Sequence, residues 1–195
     1  MKKTNTYSDC SCRYFARSGA GNTEKTLEAI AQRANELGIK KIIIPTYSGK
    51  SALAAAKIIP PAKIVAVTTA AGFEKSNVQA MKDTIRQKLM SLGIPVLTCT
   101  HAFGGVGRSV RKKLNSYQID EIIAYTLRIF GQGTKVAIEA ALMAADAGHV
   151  RTNEDIISTG GSGSGLDTAL VLRPVNASSF LDMKVREFIC KPSDF

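Results

Sequence analysis

Apolar residues recur along this chain at two spacings. Leu27, Ile30, Ala31 and Ala34 keep the spacing of one helix face, opened by Asn22-Thr23 as an N-cap and stopped by Gly38. The continuous run Ile42-Ile43-Ile44 reads instead as a buried strand. Pro45 has no N–H to donate, so pairing is expected to end there. Thr46, Tyr47, Ser48 and Gly49 form a turn, and the alanine-rich residues 51–59 form a helix closed by Pro60-Pro61. Residues 63–69 (KIVAVTT) are a second buried strand, and residues 70–76 a loop. Val78, Met81, Ile85 and Leu89 mark an amphipathic helix that Gly93 ends, and residues 94–99 are a third strand.

Farther on, a helix over residues 118–130 places Ile119, Ile122, Ile123, Leu127 and Phe130 on one face, and Gly131-Gln132-Gly133 breaks it. Residues 134–147 (TKVAIEAALMAADA) are apolar on nearly every side, which predicts a helix buried in its own core or in a subunit interface of a homo-oligomer. The last third is strand-like: residues 155–159, then the loop GGSGSGLDT at 160–168, then 169–173, with 183–190 as an edge strand. Alternating buried strands and helices predict a parallel sheet covered on both faces. Ligands of such sheets bind beyond the carboxyl ends of the strands. The polar loops at those ends are 46–51, 68–76 and 98–107, and all three can converge on one edge.

Length and charge narrow the picture. The 195 residues suit one domain over 1–195, with 1–12 a loose tail. No run reaches the length of a membrane span, and the N-terminus lacks the apolar stretch of a secretory signal. Cys10, Cys12, Cys99 and Cys190 have neither zinc-site spacing nor the density of a disulfide framework, so no metal is expected and the reading is a reduced, cytoplasmic protein. Cys10-x-Cys12 could chelate a metal, or be incidental. The net charge of +10 favours an anionic ligand or partner. The dense basic run Arg108, Arg111, Lys112, Lys113 reads as a solvated helix face rather than a nucleic-acid patch, because aromatic residues are few and none interleave with it.

The candidate chemistry sits in the loops. Where the isoleucine strand meets its helix, free N–H groups, the hydroxyls of Thr46, Ser48 and Ser51, the Lys50 ammonium and the bare backbone of Gly49 are the donors a phosphate needs. The alternative is a plain turn with Ser48 as N-cap. His101, followed by Gly104, Gly105 and Gly107, could bond a ligand, act as acid or base, or simply pack at a strand end. His149, beside Gly148, reads as part of a helix cap. Glu139 and Asp146 lie seven residues apart, hence about 20° apart on one helix face. Buried carboxylates need partners, and Arg128 is one candidate. Asp146, near the helix end, is read as structural. The glycine loop 160–165 lacks both a P-loop ending and a following helix, so it matches neither the P-loop nor the dinucleotide fingerprint. Its backbone could still wrap a phosphate, with Asp167-Thr168 pointing to a ligand role.

Taken together, the residues resemble a known family. Thr46, Ser48, Gly49, Ser51 and Ala52, then Ala66-Val67-Thr68, are similar to the C-terminal domain of pyruvate kinase, where this kind of loop holds a phosphate of a sugar-bisphosphate effector. The longer resemblance is to stand-alone pyruvate-kinase C-terminal-domain-like proteins. Asn22-Thr23, Thr69-Ala70-Ala71-Gly72-Phe73, Thr100-His101-Ala102, Arg128-x-Phe130-Gly131-Gln132-Gly133, Met143-Ala144-Ala145-Asp146-Ala147-Gly148 and the run from Gly160 to Ala169 look like its signatures. One departure is the stretch before Asn22, which reads Ser18-Gly19-Ala20-Gly21 where the family usually has proline-glycine.

The resemblance implies an α/β fold: a three-layer α/β/α arrangement around a mixed, mostly parallel sheet. It implies no pyruvate kinase activity, which belongs to a barrel domain. It also implies that flavin mononucleotide (FMN) can occupy the cleft. The expected function is binding of a phosphorylated small molecule, FMN being the named candidate. Thr46, Ser48, Gly49, Lys50 and Ser51 would hold the phosphate. Thr69, Gly72, His101, Gly104, Gly105, Gly161, Gly163, Gly165, Asp167 and Thr168 would line the rest. The alternative is a flavin-dependent oxidoreductase, or another enzyme acting on a phosphorylated metabolite, with His101 or Glu139 carrying a proton.

Overall fold

The computed structural model describes residues 7–195, so the first six residues of the expected tail lie outside the described residues. In chain order the elements are β1 (Arg13–Phe15), α1 (Thr23–Glu36), β2 (Ile42–Pro45), α2 (Lys50–Ala55), β3 (Ile64–Thr69), α3 (Asp83–Ser91), β4 (Val96–Cys99), α4 (Val106–Leu114), α5 (Ile119–Arg128), α6 (Gln132–Asp146), β5 (Ile156–Gly160), β6 (Thr168–Arg173) and β7 (Lys184–Pro192). Among the described residues seven strands form one sheet in the order β1-β7-β6-β5-β2-β3-β4. The pairs β2/β3, β2/β5, β3/β4 and β1/β7 are parallel, whereas β6 runs antiparallel to both β5 and β7.

The isoleucine strand explains the three layers. Alternate side chains of a strand point to opposite faces. Ile42 and Ile44 enter a core built with Leu27 and Ile30 of α1, Ala52 and Ala55 of α2 and Leu89 of α3. Ile43 enters a second core, with Ala124 of α5 and Ala137, Ala141 and Leu142 of α6. Helix α6 is buried almost throughout, against β5, β2 and β6. Its apolar circumference thus belongs to the core of its own chain and not to a subunit interface.

Pro45 is the last residue of β2, as expected: it pairs in register with Val67, and the following Thr46 N–H closes the edge by donating to Val67 O at 2.8 Å. The missing N–H of Pro45 falls on the β5 side, where the ladder already stops at Ile43 and Ser158. Several expectations need correction. Helix α2 ends at Ala55, not residue 59, because Ile58 N and Ile59 N both turn back to Ala55 O ahead of Pro60. Helix α3 begins only at Asp83. The Gln79 amide donates to Thr69 O and accepts from Met81 N, which holds the preceding residues out of the helix. Strand β7 lies inside the sheet, and the unforeseen β1 takes the edge. In α5, Ile123 and Leu127 pack on the core, but Ile119 and Ile122 are exposed, as is Phe130 beyond the helix end. No helix among the described residues is long and apolar enough to cross a membrane.

Candidate functional site

The carboxyl ends of β2, β3, β4 and β5 open on one cleft of about 1020 Å³. The three loops expected to converge do so. Thr46, Tyr47, Ser48, Lys50 and Ser51 come from the β2–α2 junction, Thr69, Phe73 and Glu74 from the end of β3 and the loop after it, and His101 from the loop after β4. A fourth wall comes from Gly161, Gly163, Ser164 and Gly165, and the floor from Gln132, Lys135, Val136, Glu139, Ala140 and Met143 of α6. Ala20 and Thr23 reach the rim from the start of α1.

At the β2–α2 corner the backbone is fixed from both sides. Thr46 N–H is spent on Val67 O, and Thr68 Oγ1 donates to Tyr47 O at 3.3 Å. Gly49 is the N-cap residue, at φ +90°, and no side chain caps the helix start, so Ser48 is not the cap that a plain turn required. With six residues, α2 contributes little macrodipole. The donors available to an anion here are therefore the side chains of Thr46, Ser48, Lys50 and Ser51 together with the turn's own N–H groups. Gly49, expected as a phosphate residue, does not line the cleft; its left-handed φ favours glycine, and a Cβ there would run into Ile85 of α3. Farther along the wall, the Thr69 hydroxyl is buried and has no protein partner, which is costly unless something else bonds it.

The opposite side is dense in charge. Lys135 and Glu139 form an ion pair one turn apart on α6, with side chains 8% and 3% exposed. The second Glu139 oxygen accepts Phe103 N–H at 2.9 Å. Arg128 is not the partner of Glu139; its Nε donates to Gln132 Oε1 at 2.7 Å. Burial pushes the Lys135 ammonium below its usual range despite the pull of Glu139. Burial also lowers His101, whose ring lies 4.8 Å from that of Phe73. The Arg108 guanidinium covers the same Phe73 ring at 5.3 Å. The lining includes Lys50, Arg108, Arg128 and Lys135 against only Glu74 and Glu139, so it carries excess positive charge.

The glycine loop is held rather than floppy. Asp167, fully buried, accepts Gly19 N–H at 2.8 Å and Ser162 N–H at 3.1 Å on one oxygen and the Thr168 hydroxyl at 2.8 Å on the other. Thr23 Oγ1 accepts Leu166 N–H at 3.0 Å. Asp167 and Thr168 thus shape the cleft from behind and do not line it. Gly72, Gly104 and Gly105 are also absent from the lining among the described residues. Gly104 makes room for Arg108, whose Nη2 lies 2.8 Å from where a Cβ would sit. Asp146 accepts from Asn176 Nδ2 and Ala177 N, both at 3.0 Å, and is structural as expected.

The basic run divides. Arg108 turns to the cleft, and Arg111 pairs with Glu121 at 2.7 Å. Lys135, Arg108 and the aromatic face of Phe73 were not foreseen as site residues. A lysine four residues before a glutamate inside an apolar helix was the available signal for the first.

A mostly parallel sheet covered by helices on both faces, with a polar, positively charged cleft at its carboxyl edge, places the chain in the three-layer α/β class. The model of the pyruvate kinase alpha/beta domain matches residues 24–172, and the chain belongs to that family. The matched span holds every strand of the cleft and leaves β1 and β7 outside.

Proposed function

We propose that the cleft binds a phosphorylated small molecule, with FMN as the named candidate and without pyruvate kinase activity. The observation that carries this reading is the convergence of Thr46, Ser48, Lys50 and Ser51 on a cleft whose lining is net positive. Charge-assisted hydrogen bonds of this kind favour a phosphate over a neutral group. The rest of the cleft suits a flavin. Its volume is that of a small-molecule site. Tyr47 offers an exposed ring face for stacking, and the unpartnered Thr69 hydroxyl offers a bond to a polar edge. Bound FMN would supply redox chemistry. The chain's own residues would hold the phosphate, cover the ring and exclude water.

The test compares FMN with riboflavin, which lacks the phosphate, in thermal unfolding of the purified chain. Ligand at a hundredfold excess over its Kd stabilises by about 2.7 kcal/mol. FMN is expected to raise the melting temperature and riboflavin to raise it less. No shift with FMN would overturn the flavin assignment.

A second reading is an enzyme acting on a phosphorylated metabolite or using that flavin. It is favoured by the presence of His101 and Glu139 on the cleft wall. Reduction of bound FMN by a nicotinamide cofactor, lost in His101→Ala, is its expected signature.

A further inference from the structure

Lys135 faces the cleft from α6, yet its side chain is only 8% exposed and the helix around it is apolar. A methionine would fill similar space with no charge to desolvate. Exchange of a buried ion pair for apolar side chains is often neutral or stabilising. The pair is therefore a poor device for anchoring α6, and its position on the cleft points to chemistry. Arg128 from α5 and Arg108 from α4 oppose a positive charge on Lys135, as burial does, while Glu139 favours it. His101, from the loop after β4, is the other titratable group that senses Lys135. Lysines that are desolvated or set beside other cations are the ones activated to add to carbonyl groups.

We propose that Lys135 is an imine-forming lysine that takes a phosphorylated aldehyde or ketone. The proposal rests on the phosphate-binding reading above, with the phosphate at Ser48, Lys50 and Ser51. Glu139 Oε2, already bonded to Lys135 Nζ, takes a proton from the ammonium. The freed amine adds its electron pair to the carbonyl carbon, a C–N bond forms, and the C=O π pair moves to oxygen. Glu139 returns its proton to that oxygen, then takes a second proton from nitrogen and delivers it to the same oxygen. The C–O bond breaks, water leaves, and the nitrogen pair closes C=N. The net change is ammonium plus carbonyl to protonated imine plus one water, with no oxidant or reductant.

The test uses pyridoxal 5′-phosphate, a phosphorylated aldehyde, on the full chain, followed by borohydride reduction and peptide mapping. The expected result is one saturating adduct per chain at Lys135, absent in Lys135→Met. In Glu139→Gln its initial rate should fall about tenfold, the equivalent of one pKa unit. Label on exposed lysines such as Lys40 and Lys82, with Lys135 unmodified in the wild type, would overturn the proposal whatever the variants do. Pyridoxal without phosphate separates the two readings. Slower labelling of Lys135 by pyridoxal supports both. Equal labelling keeps the imine and removes the phosphate site.

Discussion

Lys135 and Glu139 stand four residues apart on α6 and close a buried ion pair at the floor of the cleft. Through its other oxygen Glu139 also accepts Phe103 N–H, so the pair ties the loop after β4 to the central helix.

Removing one partner of a buried pair strands the other. Glu139→Ala should cost about 3–5 kcal/mol of stability, because a buried ammonium is left alone. Adding Lys135→Met should recover about half of that loss and leave only the unbonded Phe103 N–H, a deficit of about 1–3 kcal/mol. Urea unfolding of the single and double variants checks both values. A single variant within about 1 kcal/mol of wild type would show that the pair is not the closed contact described here.

Stability should also depend on His101. Burial holds its imidazole below the ordinary 6.5, Glu139 pulls it back up, and Lys135 and Arg108 push it down again. The unfolded chain therefore binds this proton more readily than the folded one, and stability rises with pH through this group. The contribution is fully present above the unfolded value and is lost as pH falls through the lower folded value. Denaturation midpoints measured from about pH 7.5 down to 5 should fall for the wild type, and His101→Gln should flatten that part of the profile.

Asp167 makes a different prediction, one about order. Asp167→Ala removes the shared acceptor of Gly19 N–H, Ser162 N–H and the Thr168 hydroxyl. Bonds to a charged group contribute roughly 1.5–3 kcal/mol each, so removing three of them should cost about 4.5 kcal/mol or more. Hydrogen exchange should quicken at the Gly19 and Ser162 amides before it quickens in α6. Uniform acceleration across the chain would mean that the loop is not held locally.

The approach of α6 to the sheet is set by two bare backbones. A Cβ on Gly160 would collide with the Gly133 carbonyl, and one on Gly133 with the Thr168 side chain. Gly160→Ala should destabilise by about 3 kcal/mol or more, whereas Gly21→Ala, with open space around it, should stay within about 0.5 kcal/mol. Thermal unfolding of the two variants side by side reads the difference.

What the sequence disclosed and what it hid follow one physical division. Local periodicity was legible: Ile42-Ile43-Ile44 read as a buried strand, and the apolar circumference of α6 read as buried, while only its packing against β5, β2 and β6 assigns it to the chain's own core. The convergence of loops at the carboxyl edge followed from the alternation of strands and helices. Partners distant in sequence were hidden. Asp167 bonding Gly19, and Gln79 bonding Thr69 to delay α3, leave no periodic trace. The glycines carry local reasons that sequence does not display, Gly49 a left-handed φ of +90° and a close approach to Ile85, and Gly104 a close approach to Arg108. Arg108 looked solvated because its run was read as one face, yet the helix turns Arg108 inward and Arg111 toward Glu121.

The most direct measurement is calorimetric titration of FMN into the wild type and into a Lys50→Ala, Ser51→Ala double variant. A phosphate held at the β2–α2 corner predicts saturable wild-type binding, weakened in the variant by about a hundredfold, the equivalent of about 2.7 kcal/mol. Equal affinity in the two proteins, or no heat of binding in the wild type, would contradict it.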